Sequence, residues 1–442
     1  MPVIHAVDVI DVRFPTSLEL DGSDAMHTDA DYSAAYVVLR TNDPELSGFG
    51  LTFTIGRGNE VCVAVARQLA VVLIGMDVDV MLTDMGAVYR ALTADSQLRW
   101  LGPEKGVVHL SLAAVLNAAW DLVARRAGKP LWRVLVDMPA RDLAAVADLR
   151  YVTDVLTRDE AESMLAALEP TREQRIAELE RVGYPCYTTS PGWLGYDDEK
   201  LARLCQEAVE AGFRHIKLKV GANLEDDRRR CAIARRALGT DGDLMLDANQ
   251  VWDVRQAIAW VNALADFKPL WIEEPTSPDD ILGHAAIRAA VAPIRVATGE
   301  HGHNRVMFKQ FLQAGSIDYC QIDAGRLASV NEVITVLLLA AKFGVPVCPH
   351  AGGVGLCEMV QHLAIFDYVA VSGRLDGRVA EYVDHLHDHF VEPCIVKDAA
   401  YVVPTAPGYS AQMHAASVAQ YRYPDGMYWA AYAAGRTPSI DR

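Results

Sequence analysis

A chain of 442 residues is longer than one ordinary domain, yet a barrel with an appended domain would use all of it. With 51% hydrophobic residues it can fill a large core, while no apolar run approaches the roughly 20 residues of a membrane span; together with an N-terminus lacking the layout of a signal segment, this predicts a soluble cytoplasmic protein with no membrane partner. A formal charge of −17 without any Lys/Arg tract argues against nucleic-acid partners, and eight scattered cysteines with no C-x-x-C pair read as reduced core residues.

In chain order, residues 3–14, 34–40 and 50–55 alternate or run apolar and predict a small antiparallel sheet. Between the first two lies a polar loop near 20–32, too long for a hairpin turn and of the kind that forms lids. Helical periodicity from 60 to about 135 completes an α+β capping domain over 1–140. Residues 141–183 are charged and helical, a connecting insertion. From 184 to 392 strands and helices alternate, and 393–442 returns to turns and short apolar pieces expected to pack back on the capping domain.

The alternating segment His215–Val220 points Ile216, Leu218 and Val220 one way and Lys217 and Lys219 the other. Lying between two helical patterns, it belongs to a parallel sheet covered on both faces, where two lysines carry a large desolvation cost unless they have a task. Successive apolar runs end in polar residues at 219, 247, 273, 300, 323, 350 and 381, steps of 28, 26, 27, 23, 27 and 31. That cadence fits one strand and one helix per step and predicts an α/β fold, a modified TIM-type (β/α)7β barrel whose strand ends carry the chemistry.

Asp247, Glu273 and Glu300 end three consecutive strands, and three carboxylates at one mouth repel unless a cation neutralises them. All-oxygen ligation by hard carboxylates favours Mg²⁺. Between Glu273 and Glu274, Glu273 shares parity with Trp271 and is taken as the ligand, because Ile272 suits the helix-facing side. Asn249 faces the same way as Asp247 and is a candidate for a metal-bound water or a substrate hydroxyl. Opposite the lysines, Asp323 and His350 lie one repeat apart, an arrangement that fixes the tautomer of a general acid/base. Glu381, if protonated, is placed to hydrogen-bond a substrate carboxylate. In the loop near 20–32, Asp21, Asp24 and Tyr32 are candidate substrate-binding residues.

Lys-x-Lys, Asp-x-Asn, Glu-Glu-Pro, Thr-Gly-Glu, Asp and His in this order resemble the mandelate racemase branch of the enolase superfamily. The 20–26 loop, the run 31–36, the insertion and the run 187–193 are more narrowly similar to the L-fuconate dehydratases. The resemblance implies abstraction of the proton alpha to a carboxylate, with Lys219 as a neutral base whose pKa is lowered by burial, Lys217 and Mg²⁺. It implies Lys217 against the substrate carboxylate and His350 as the acid that protonates the departing C3 hydroxyl. The expected partner is a small-molecule sugar acid, and the expected state a homo-oligomer. The competing readings are a dehydratase for another sugar acid, a 2-hydroxy acid racemase or epimerase with the same barrel residues, and a non-catalytic barrel scaffold.

Overall fold

The computed structural model describes residues 1–102 and 104–436. Its first layer is an antiparallel sheet of β1 (Ile4–Arg13), β2 (Ser33–Thr41) and β3 (Ser47–Thr54), ordered β1-β2-β3. β2 is buried along nearly its whole length, in keeping with its unbroken Ala-Ala-Tyr-Val-Val-Leu run. β3 lies against the helix Gly106–Arg126, and Gly50 permits the approach: a Cβ there would meet the Ala118 nitrogen at 2.1 Å. This helix corrects the expectation of no span-length apolar segment. By length and composition it could cross a bilayer, but 83% of its most apolar window is buried inside the protein. Here it is a core helix, apolar on all sides because it is covered on all sides.

The helices Ala140–Val146, Arg158–Leu168 and Arg172–Val182 occupy the stretch expected as an insertion. The barrel follows as parallel strands β4 (Tyr184–Thr188), β5 (His215–Lys219), β6 (Asp243–Asp247), β7 (Pro269–Glu273), β8 (Arg295–Thr298) and β9 (Tyr319–Cys320). Val347 bridges Cys320 in parallel, and β10 (Ala380–Tyr382) pairs with β4 to close the ring. Tyr187, Met245, Trp271, Ala297, Tyr319, Cys348 and Val379 pack together as one interior layer. The register aligns Lys217 with Met245 and Met245 with Trp271, and one step higher Lys219 with Asp247 and Asp247 with Glu273. Period-2 strands thus set an apolar floor and a charged rim two residues apart.

The C-terminal segment divides. A hairpin of β11 (Val396–Lys397) and β12 (Ala400–Tyr401) adds antiparallel to β4, on the barrel itself. Farther on, the Met413 N–H donates to the Tyr36 hydroxyl at 3.0 Å and the Tyr423 N–H to the Asp11 carbonyl at 2.8 Å, which carries the chain back to the first sheet. Residues 437–442 of that segment lie outside the described residues.

A buried arginine ties the layers together. Arg305 Nη1 lies 2.9 Å from Glu332 Oε1, and Nη2 lies 3.0 Å from both Glu104 and Asp148, while Glu332 Oε2 meets His109 Nε2 at 2.5 Å. Glu332 also accepts the Ala328 N–H at 3.3 Å, at the end of the loop that begins with Asp323. Arg305→Ala removes the buried cation shared by Glu332, Glu104 and Asp148, leaving His109 beside the first and Arg150 beside the other two, and is expected to cost about 3 kcal/mol in urea unfolding. A loss below about 1 kcal/mol would show that the network is not what joins the barrel to the capping helix.

Candidate active site

The rim of the barrel and the underside of the first domain enclose a cavity of about 330 Å³. From the barrel, Lys219, Asn249, Glu300, Asp323 and His350 reach it; from the first domain, Asp24 and Tyr32 do. Strand parity explains most of the barrel set, since each stands two residues, or a multiple of two, beyond the interior layer. Glu300 is the exception. Gly299, at φ +145°, breaks the alternation and turns Glu300 inward, and a Cβ at that glycine would meet the Gln321 carbonyl at 2.1 Å.

Beneath the cavity, Asp247, Glu273 and Glu300 present carboxylate oxygens within 4.8 Å of one another, all buried. The lysines answer them. Lys219 Nζ is 2.5 Å from Asp247 Oδ2, and Lys217 Nζ is 2.7 Å from Glu273 Oε1, 3.0 Å from Glu381 Oε1 and 3.6 Å from Asp247 Oδ2. Burial opposes charge on both amines, but the carboxylates outweigh it and hold both ammonium groups above their ordinary range. The expected lowering of Lys219 is therefore absent while the carboxylates lack further positive charge.

Two expected substrate contacts lie elsewhere. Lys217 sits in the register of the interior layer, one step below the rim, and does not line the cavity. Glu381 is a filled acceptor: Ala351 and Gly352 donate their N–H groups to Oε2 at 2.9 and 3.1 Å, and the Thr189 hydroxyl donates to Oε1. Burial would raise its pKa, but Lys217, His350 and Lys219 hold it down to about 2, so it is a carboxylate and not the protonated donor expected. Asp21 likewise turns away, accepting the Tyr196 hydroxyl, with Lys200 at 4.0 Å. It anchors the loop, and Asp24 and Tyr32 face the cavity. Asp24 accepts the Met26 and His27 N–H groups, each at 2.7 Å.

His350 Nδ1 meets Asp323 Oδ2 at 2.6 Å, with Nε2 3.2 Å from Glu300 Oε2. Burial works against the imidazolium, yet Glu300, Glu381 and Asp323 together push it up to about 10. Glu274, the alternative ligand, points to the other side of its strand and is satisfied there, accepting from Gln250 Nε2 at 2.9 Å and His301 Nδ1 at 2.9 Å. Glu274, Glu300 and His301 also form a metal-sized cluster, in which His301 Nδ1 lies 2.9 Å from Glu274.

The donor set fits a hard divalent ion. Around it stand Asp247, Glu273, Glu300, Asp323 and Glu381 against Lys217, Lys219 and the His350 imidazolium, an excess of two negative charges. Burial and the carboxylates of Asp247, Glu300 and Glu381 push Glu273 well above the usual range despite Lys217, and Asn249 Oδ1 is buried with no hydrogen-bond partner. Both mark a place short of positive charge.

His27, Trp193, His301 and Arg326 also line the cavity and were not singled out from the sequence. Lys219 Nζ lies 5.6 Å from the Trp193 ring centre, so the indole helps exclude water from the amine. His301 carried a signal, as it directly follows a residue already placed at the rim. The others come from loops, where no period exists to read.

Residues 200–417 match the enolase C-terminal domain-like family, and residues 12–135 match the mandelate racemase/muconate lactonizing enzyme N-terminal domain. The crystal structure of human mitochondrial enolase superfamily member 1 superposes with a TM-score of 0.95 at 55% identity, covering 97% of this chain and 98% of that one. The L-galactonate dehydratase of Hypocrea jecorina is 53% identical over 426 residues, 95% of this chain and 94% of the relative. L-talarate/galactarate dehydratase from Salmonella typhimurium LT2, solved with Mg and L-lyxarohydroxamate, superposes with a TM-score of 0.72 at 25% identity, covering 94% of this chain and 92% of that one.

The two adjacent glutamates separate in a binding experiment. Calorimetric titration with Mg²⁺ is expected to show Glu273→Gln weakened by at least about 10-fold, while Glu274→Gln still binds. The reverse order would move the ion to the Glu274–Glu300–His301 cluster.

Proposed function

As the chain belongs to the enolase superfamily, in its mandelate racemase/muconate lactonizing enzyme branch, we propose that it is a Mg²⁺-dependent acid-sugar dehydratase, with L-fuconate converted to 2-keto-3-deoxy-L-fuconate. The observation that carries this reading is the pair of proton-transfer groups facing one cavity: Lys219, and a His350 whose Nδ1 is held by Asp323 at 2.6 Å. A racemase needs the histidine to alternate between base and acid at C2. A dehydratase needs it as an acid, the form favoured here.

Asp247, Glu273 and Glu300 would hold the Mg²⁺, which when bound supplies the positive charge that a carboxylate substrate needs as its alpha proton becomes acidic. Lys219 Nζ takes the C2 proton. To do so it must first lose its own, and the 2.5 Å contact to Asp247 must weaken as that carboxylate is neutralised from elsewhere. Lys217 stays charged below the rim and balances Glu273 and Glu381. His350 Nε2 then donates its proton to the C3 hydroxyl, so that water departs in place of hydroxide, and Asp323 fixes the ring by its hydrogen bond to Nδ1. Asn249 Oδ1 offers an acceptor to a substrate hydroxyl. The remaining enol becomes the 2-keto-3-deoxy acid.

We place the end of the acid sugar against the apolar part of the capping side, Phe53, Ile55, Val107 and Leu110, which stands beside polar Asp24, His27, Thr54 and Arg57. L-Fuconate is L-galactonate without the C6 hydroxyl, so both share the configuration needed at the rim. Desolvating a terminal hydroxyl against apolar side chains costs about 1–3 kcal/mol, which predicts kcat/KM for L-fuconate about 10–100-fold above that for L-galactonate.

A panel of acid sugars incubated with Mg²⁺ and assayed for 2-keto-3-deoxy products tests the reading. L-Fuconate should turn over best, Lys219→Ala should abolish turnover, and Tyr32→Phe should raise KM more than it lowers kcat. Equal or better use of L-galactonate would shift the substrate, and C2 epimers in place of a keto acid would replace the dehydratase with an epimerase.

A further inference from the structure

Behind the rim, away from the cavity, Cys357, His387 and Cys394 bring their Sγ and ring-nitrogen atoms within 4.8 Å of one another. Cys357 is the second residue of the helix Leu356–Phe366. Cys394 comes from the segment after β10 and brings its Sγ within 4.8 Å of that of Cys357. His387 Nδ1 faces the Glu358 carboxylate at 2.6 Å and Nε2 faces the Val383 carbonyl at 2.6 Å. Both partners accept only, so both nitrogens carry protons and the ring is a cation, 3.5 Å from Cys394 Sγ. With no free lone pair, this histidine does not ligate a metal. It is a fixed positive charge beside two neighbouring thiols.

We propose that Cys357 and Cys394 form a reversible disulfide, with hydrogen peroxide as oxidant. Cys394 is the more exposed of the two, at 7% against 0%. Its sulfur attacks one peroxide oxygen, the O–O bond breaks, and water leaves with the thiol proton. The Cys357 sulfur then attacks the resulting sulfenic acid, the S–S bond forms, the S–O bond breaks, and a second water carries away the second proton. Two electrons pass from the thiols to the peroxide, and a dithiol reductant reverses the change.

The site has a line to the rim. Cys357 Sγ donates to the Ala351 carbonyl at 3.4 Å, and the Ala351 and Gly352 N–H groups hold Glu381 beside His350. A disulfide sulfur has no proton to donate, so oxidation releases Ala351 at its carbonyl.

Mass spectrometry of the whole reduced protein treated with hydrogen peroxide, denatured and alkylated with N-ethylmaleimide tests this without any substrate. The expected result is the loss of two hydrogens, two fewer maleimide adducts than the reduced control, and a linked peptide pair containing Cys357 and Cys394 that dithiothreitol separates. Cys394→Ser should give no link while Cys357 becomes alkylated; should that variant fail to fold, the wild-type peptide map decides alone. Recovery of both cysteines singly alkylated, irreversible sulfonic acid at either, or co-purified zinc protecting both would overturn the proposal. Its failure leaves the dehydratase reading untouched.

Discussion

Carboxylates closed into the mouth of one barrel, out of reach of bulk water, are the constraint on which the rest depends. A pair of like charges about 4 Å apart costs about 4 kcal/mol at an effective dielectric of about 20. Three such pairs among Asp247, Glu273 and Glu300 would consume much of the roughly 5–15 kcal/mol that keeps an ordinary domain folded. Lys217 and Lys219 offset part of this, and each is drawn to a carboxylate oxygen at 2.7 Å or less. The remaining two negative charges give the site its demand for a divalent cation. The same contacts hold the Lys219 ammonium protonated, and competition for Asp247 is what would free its lone pair.

The scaffold makes that concentration of charge possible by separating floor from rim. Tyr187, Met245, Trp271 and Tyr319 seal the interior one strand step below, so the charged residues stand on a packed apolar surface. Arg305 and Glu332 fasten the barrel helices to the capping helix, and Ser23 fastens the lid loop to the barrel through the Leu194 and Gly195 N–H groups at 3.0 and 2.9 Å. Tyr32, Asp24 and Trp193 then line the cavity beside the barrel rim.

Where the chain has a period, its sequence was readable. The alternation in His215–Val220 and the cadence of strand ends located the rim residues, and parity separated Glu273 from Glu274, which do point to opposite sides of β7. What parity cannot tell is depth: Lys217 and Lys219 share a face, but only register against Met245 and Asp247 reveals that one lies in the floor and the other at the rim. Charge state was equally hidden. Glu381 looks from sequence like a carboxyl free to be protonated, whereas three donors and a lysine drawn from distant segments fix it as an anion. Loop residues such as Asp21, His27 and Arg326 follow no period, and their facing is decided by partners far along the chain.

In the proposed reaction Lys219 and His350 act in sequence on neighbouring carbons. The most direct measurement is deuterium exchange by His350→Asn, incubated with L-fuconate and Mg²⁺ in deuterated water and followed by NMR. The account predicts little keto acid, yet deuterium at C2 of recovered substrate with configuration retained, because the base still works after the acid is gone. Loss of exchange together with turnover, or deuterium appearing with inverted configuration, would contradict it.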